Sequence, residues 1–165
     1  MVSQLRKVAS RQGKLQKEPI LKGVESTDFL QAITMLHTLE KRAADLASGK
    51  TGKQVTPVSA KRASILALEL PDYKKWADAV QEGFLLAAKF LRHEHVRDPR
   101  ELPYRTQLAP LAAVMAHLKE RWREPVIHTK LSRWYQAVEP KINQFAPSVG
   151  GIGGNDSLTS PNVRL

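Results

Sequence analysis

Between residues 71 and 92, Tyr73, Trp76, Ala77, Val80, Phe84, Leu85, Ala87, Ala88 and Leu91 recur three and four positions apart. Only an α-helix turns such a set onto one side, because it advances 3.6 residues per turn. The same spacing returns in Phe29, Leu30, Ile33, Leu36, Leu39, Ala43 and Leu46. Strict alternation, the mark of a half-buried strand, is absent throughout. The chain therefore reads as all-α, a compact bundle of about five helices near 26–48, 59–68, 71–92, 106–122 and 125–139. Its expected core is Phe29, Ile33, Leu36, Leu66, Trp76, Val80, Phe84, Leu111 and Trp134.

Local signals set the boundaries. Ser26 or Thr27 suits an N-cap, with Asp28 favoured by the positive helix end, and Ser59 and Thr106 suit the same role further on. Pro71 and Pro125 sit where a helix begins and a missing N–H costs nothing, and Pro110 falls in a first turn. Pro140 is expected to end the last helix, with Ile142 and Phe145 adding one docked turn. The segment 48–57, with Gly49, Gly52 and Pro57, reads as an exposed loop. Residues 1–22 are polar and basic, with Leu5, Val8, Leu15, Ile20 and Leu21 loosely spaced, and read as a flexible basic arm. The helical domain is expected over 23–146, and the glycine-rich stretch 147–165 reads as a disordered tail.

A chain of 165 residues has room for one ordinary core and no second full domain. It has no cysteine, which excludes a disulfide framework, a thiolate metal site and a cysteine nucleophile, and suits a cytoplasmic setting. The longest apolar run, 108–116, falls well short of the ~20 residues that cross a bilayer, and the basic N-terminus lacks the apolar stretch of a secretory signal, so no membrane partner is expected.

Lysine and arginine number 26 against 16 acids, a formal net charge of +10. Such an excess attracts polyanions by releasing their counterions. Lys119, Arg121, Arg123, Lys130 and Arg133 crowd around Trp122 and Trp134, a combination that can hold phosphate while a ring stacks on a base. The plainer reading makes the tryptophans core and the cations wet helix faces. The expected contact set for weak, sequence-independent DNA binding is Lys61, Arg62, Arg105, Arg121, Arg123, Lys130 and Arg133, helped by the basic arm. A helix-turn-helix is a poor fit, since the connector Arg123-Glu124-Pro125 has no glycine.

Catalytic chemistry finds little support. The stretch 44–51 satisfies a permissive phosphate-loop pattern ending in Gly49-Lys50-Thr51, but a helix precedes it where a working loop needs a buried strand. His93-Glu94-His95 has a metal flavour without the i, i+4 histidine pair, and no third donor is visible nearby; His37, His117 and His128 stand singly. The acids form no evident pair, and no serine lies in a nucleophile elbow. No catalytic, cofactor-binding or metal-ligating residue is assigned and no cofactor is expected, so the chain reads as a non-enzyme.

The wording of several segments nevertheless resembles a known family. Glu25-Ser26-Thr27-Asp28-Phe29-Leu30-Gln31-Ala32-Ile33-Thr34, Lys61-Arg62 leading to Leu68, Tyr73 with Trp76-Ala77-Asp78, and Glu82-Gly83-Phe84 with Phe90-Leu91 are similar to the helical region of GmrSD-type restriction endonucleases. Most specific are Leu102-Pro103-Tyr104-Arg105-Thr106-Gln107-Leu108, Pro110-Leu111-Ala112-Ala113 and Lys130-Leu131-Ser132-Arg133-Trp134-Tyr135. The resemblance covers about residues 20–137. It implies a prokaryotic defence system against foreign DNA, in which a ParB- or sulfiredoxin-like nucleotide-hydrolysing domain precedes the helical part and an HNH-type nuclease follows in some members. The family's acidic, Gln-Gln-Arg-containing motif has no counterpart here, so no catalytic residue carries over and the chain reads as an excised or truncated helical segment. The expected function is thus a non-catalytic scaffold of a GmrSD-like restriction or antiphage defence protein, partnered by a catalytic domain or subunit and touching DNA without sequence preference. The alternative is a stand-alone basic nucleic-acid-binding adaptor.

Overall fold

The computed structural model describes residues 10–145 except 12 and 103, and for 138–145 the backbone alone. The described residues form an all-α bundle with no strand. Residues 10, 11 and 13–15 are helical, and the helices that follow are α1 (Ser26–Ala47), α2 (Arg62–Leu66), α3 (Leu70–His93), α4 (Leu108–Leu118) and α5 (Pro125–Phe145). Short 3-10 turns link them at Pro19–Leu21, Gly52–Gln54, Pro99–Glu101, Arg105–Gln107 and Lys119–Arg123.

The two long amphipathic helices start alike. Glu25 precedes α1 and its N–H donates to the Asp28 carboxylate at 2.9 Å; Glu69 does the same toward Asp72 at 3.2 Å before α3. An acid three residues inside the helix thus closes each capping box, and its charge meets the positive end of the helix dipole. This displaces the expected caps Ser26 and Thr27, which become the first helical residues.

Helices α1, α3 and α4 make the centre, with α3 and α4 in the most extensive contact and α1 laid across both. Phe29, Ile33, Leu36, Val80, Phe84 and Leu111 are buried there as expected. Trp76 and Trp134 pack on the edge of that core, only partly buried. Small residues mark the closest approach of α3 and α4: Ala112 and Ala116 on α4 lie beside Gly83 on α3, where a Cβ would come within 2.3 Å of the Ala112 carbonyl oxygen.

The structure departs from several expectations. The basic arm is docked over its described part: Leu15, Ile20 and Leu21 are at most 1% exposed, while Glu18 pairs with Arg92 at 3.0 Å and Arg11 with Asp78. The Pro19–Leu21 turn packs on α3 and on the Pro99–Glu101 turn, burying two adjacent apolar residues at once, a pattern that helical periodicity does not register. Residues 1–9 of that arm and the expected tail 147–165 lie outside the described residues.

The second helix is shorter than 59–68, and Ser59 does not cap it. Its N–H instead donates to Thr38 Oγ1 at 3.1 Å, and its hydroxyl oxygen accepts from the Lys61 N–H at 3.2 Å. A helix of five residues resting on α1 has one small inner face, so Leu66 is left 75% exposed and outside the core. The expected helix 106–122 breaks at Lys119, whose φ of 52° leaves the right-handed region, and continues as a 3-10 turn that swings Trp122 inward to 5% exposure. Helix α5 runs past Pro140 to Phe145; a proline ring forfeits one backbone hydrogen bond but holds φ at a helical value, so it does not oblige the helix to stop.

Candidate functional site

The seven cations of the expected DNA surface are not equivalent. Arg105 lies between Glu25 and Asp28 at 3.3 and 3.5 Å, with its guanidinium against Gly23. Arg121 pairs with Glu124 at 3.0 Å, and Arg123 with Glu120 at 3.2 Å while its guanidinium sits 5.4 Å from the Trp122 ring. Lys61, Arg62, Lys130 and Arg133 are exposed, and none makes an ion pair among the described residues. The structure brings the Lys119–Arg123 turn against α5, joining Arg121 and Arg123 to the helix of Lys130 and Arg133. It leaves Lys61 and Arg62 at the start of α2, which packs on α1.

The phosphate-loop look-alike has its own structural explanation. Asp45, in the last turns of α1, accepts from Lys50 Nζ at 2.7 Å with one oxygen. Its other oxygen accepts from the Thr56 N–H at 2.8 Å and from the Thr56 hydroxyl at 2.6 Å. Gly49 and Gly52 take positive φ, 82° and 58°, to let the chain turn back. Lys50 is thereby the internal counter-ion of a loop, preceded by helix α1 rather than a strand.

These bonds hold Asp45 far below the usual carboxylate range, the Lys50 hydrogen bond contributing most and the Thr56 bonds next. Asp98 is held down to about 2, chiefly by the Arg100 guanidinium and then by the Arg100 N–H. Both groups bind protons more readily in the unfolded chain, near pH 3.8, than in the folded one. Their stabilisation is therefore complete above about pH 4 and is lost as the pH falls through the folded values. Acid titration of the unfolding midpoint should show a decline beginning near pH 4. In Asp45→Asn the midpoint should be lower at neutral pH and the decline shallower; equal slopes for the two proteins would refute the assignment.

The group with the most chemical potential is one that local spacing could not reveal. His93 and Glu94, at the end of α3, meet His128 from the first turn of α5, and one ligand atom of each lies within 4.8 Å of the others. His128 is the third donor that the sequence around His93-Glu94-His95 lacks, while His95 itself is exposed and stands apart. The His93 and His128 rings meet at 4.7 Å, nearly edge to face. Phe90 and Trp122 flank His128 at 5.6 and 6.0 Å. Glu94 Oε1 accepts from the Ser132 hydroxyl at 2.7 Å and lies 3.7 Å from His128 Nε2. A pocket of about 620 Å³ opens beside the cluster, lined also by Lys89, Arg123 and Thr129.

Two further hollows, of about 360 Å³ each, flank α4 and share Val114 and Leu118; their linings are mostly apolar, with His117 the one titratable side chain in the first and Lys130 in the second. No helix among the described residues is long and apolar enough to cross a membrane. Comparison of the chain with models of known protein families, with curated proteins and with solved structures finds no match.

Proposed function

We propose that the chain is a non-catalytic helical domain of a GmrSD-like restriction or antiphage defence protein, a cytoplasmic scaffold for catalytic modules that touches the DNA backbone without reading sequence. The resemblance of residues 20–137 supports the family part of this reading. The DNA part rests on one observation: four of the seven candidate cations, Lys61, Arg62, Lys130 and Arg133, are exposed and carry no acidic partner among the described residues. Unpaired surface cations are the groups that displace counterions from phosphate without first breaking an internal ion pair. The acids on Arg105, Arg121 and Arg123 make those three poorer contributors.

A salt titration of binding to an arbitrary duplex tests it. Binding should be on the order of micromolar or weaker at ~50 mM salt and fall linearly on a log–log plot, the slope shrinking by roughly 0.9 for each phosphate contact removed. Replacing Lys61, Arg62, Lys130 and Arg133 by glutamine should reduce the slope far more than replacing Arg105, Arg121 and Arg123. Undetectable binding at ~50 mM, or strong binding insensitive to salt, sinks the electrostatic account and assigns the charge to solubility or to an acidic protein partner. The purified chain should neither hydrolyse nucleoside triphosphates nor cut DNA; turnover abolished by Lys50→Ala would overturn the non-catalytic reading.

A further inference from the structure

We propose that His93, Glu94 and His128 form a binding site for a divalent transition-metal ion such as zinc, with one coordination position left open toward the adjoining pocket. The site does not depend on the DNA-binding reading, since none of its three donors belongs to that set.

The donor chemistry selects the ion. Two imidazoles and a carboxylate suit zinc and its neighbours in the first transition series, whereas magnesium and calcium prefer all-oxygen shells. Three protein ligands with a vacant fourth position is also the composition of zinc sites that keep a bound water.

The backbone holds the donors firmly on both sides. Helix α3 ends in a Schellman motif: the His95 N–H donates to the Arg92 carbonyl at 3.1 Å and the Val96 N–H to the Leu91 carbonyl at 2.9 Å. His95 takes the left-handed position, with φ of 68°, and Val96 is buried as the motif's apolar plug. This turn seats His93 and Glu94 at the helix end and carries His95 out of the cluster. On the facing helix, the His128 N–H donates to the Glu124 carbonyl at 2.8 Å, and Phe90 and Trp122 restrict its ring.

The side chains leave unfinished bonding that an ion would complete. His128 Nε2 is buried and has no hydrogen-bond partner. Its nearest charged neighbour, Glu94 Oε1, stands at 3.7 Å, beyond hydrogen-bonding distance. Ligand atoms about 2.0–2.1 Å from a tetrahedral zinc lie roughly 3.3 Å apart, so a modest contraction converts the cluster into a shell. His93, the exposed member, is free to make that adjustment. Ser132 already supplies the outer hydrogen bond that orients a ligating carboxylate, in the manner of the second layer around metal sites. Of the two cations lining the pocket, Arg123 is engaged by Glu120, which moderates their repulsion of an ion.

The test uses the full chain, stripped with a chelator and titrated with zinc ion alone by calorimetry. The expected result is one equivalent bound, with a melting temperature that rises with zinc concentration because the ion binds the folded form. His93→Ala, at an exposed position that leaves the fold intact, should abolish both effects, and so should His128→Gln. Ser132→Ala should weaken binding about 10-fold or more, and His95→Asn, which suits the left-handed position at the helix end, should leave binding unchanged. Cobalt(II) titration should give tetrahedral ligand-field bands that His93→Ala removes. Absence of zinc binding by the unmodified chain, or binding that survives His93→Ala, overturns the proposal. So does binding that His95→Asn weakens as much as His93→Ala; His93→Ala decides the matter even if a His128 variant fails to fold.

Discussion

Gly83→Ala is expected to destabilise the domain by about 2 kcal/mol although alanine is the better helix former. In the middle of α3 the substitution should gain about 1 kcal/mol of helix propensity. Against that gain, the new Cβ would stand 2.3 Å from the Ala112 carbonyl oxygen and 2.9 Å from the Ala116 Cβ. Neither neighbour is the end of a flexible side chain: one is helix backbone and the other a methyl fixed to it. Helices α3 and α4 must therefore move apart along the most extensive interface of the fold. Overpacking of a dense core costs about 1–3 kcal/mol, occasionally more, and a backbone clash belongs at the upper end. The midpoint of thermal unfolding should fall by roughly 4–8 °C for a chain of this size. Urea denaturation of the two proteins measures the difference; a variant as stable as the parent would mean that the helices are not in such close contact.

Phe90→Ala should cost more, about 3–5 kcal/mol, the range for removing a buried phenyl ring and leaving a cavity. Phe90 is fully buried, and its ring meets Trp122 at 6.1 Å and Tyr135 at 6.0 Å, both edge to face. It is the point where α3, the Lys119–Arg123 turn and α5 share one aromatic cluster, so its loss should loosen α5 as well as lower global stability. Trp122 fluorescence should shift toward the solvent-exposed range in the folded variant, and hydrogen exchange should accelerate in α5 before the rest of the bundle. A loss below about 1 kcal/mol with unchanged exchange in α5 would show that the cluster does not anchor that helix.

The long helices were legible because each carries enough turns for its apolar side to repeat. Helices α1 and α3 span 22 and 24 residues, and Phe29, Ile33, Val80 and Phe84 recur at the helical period within them. Where an element is short, the period has no length in which to show itself. That is why the sequence reads α2 as too long, with Leu66 inside, and reads Leu15, Ile20 and Leu21 as part of a flexible arm. Lys119 and His95 illustrate a second gap: both adopt positive φ without being glycine, so the breaks they make carry no residue signature. The exposed cations could be listed from the sequence. Which of them are already neutralised could not, because Arg105 meets Glu25 and Asp28 across more than seventy positions of chain.

By itself the sequence determined the helical class, the two long amphipathic helices, most of the central core and the net charge of +10. These properties come from side-chain type and spacing within a single helix, where neighbours in the chain are neighbours in space. Tertiary structure alone decided that the described part of the N-terminal arm docks, that Gly83 is a point of helix contact, and that His128 joins His93 and Glu94. Each of these depends on two elements meeting at one place. Such a meeting is set by the packing of α3 against α4 and α5, which no local spacing records.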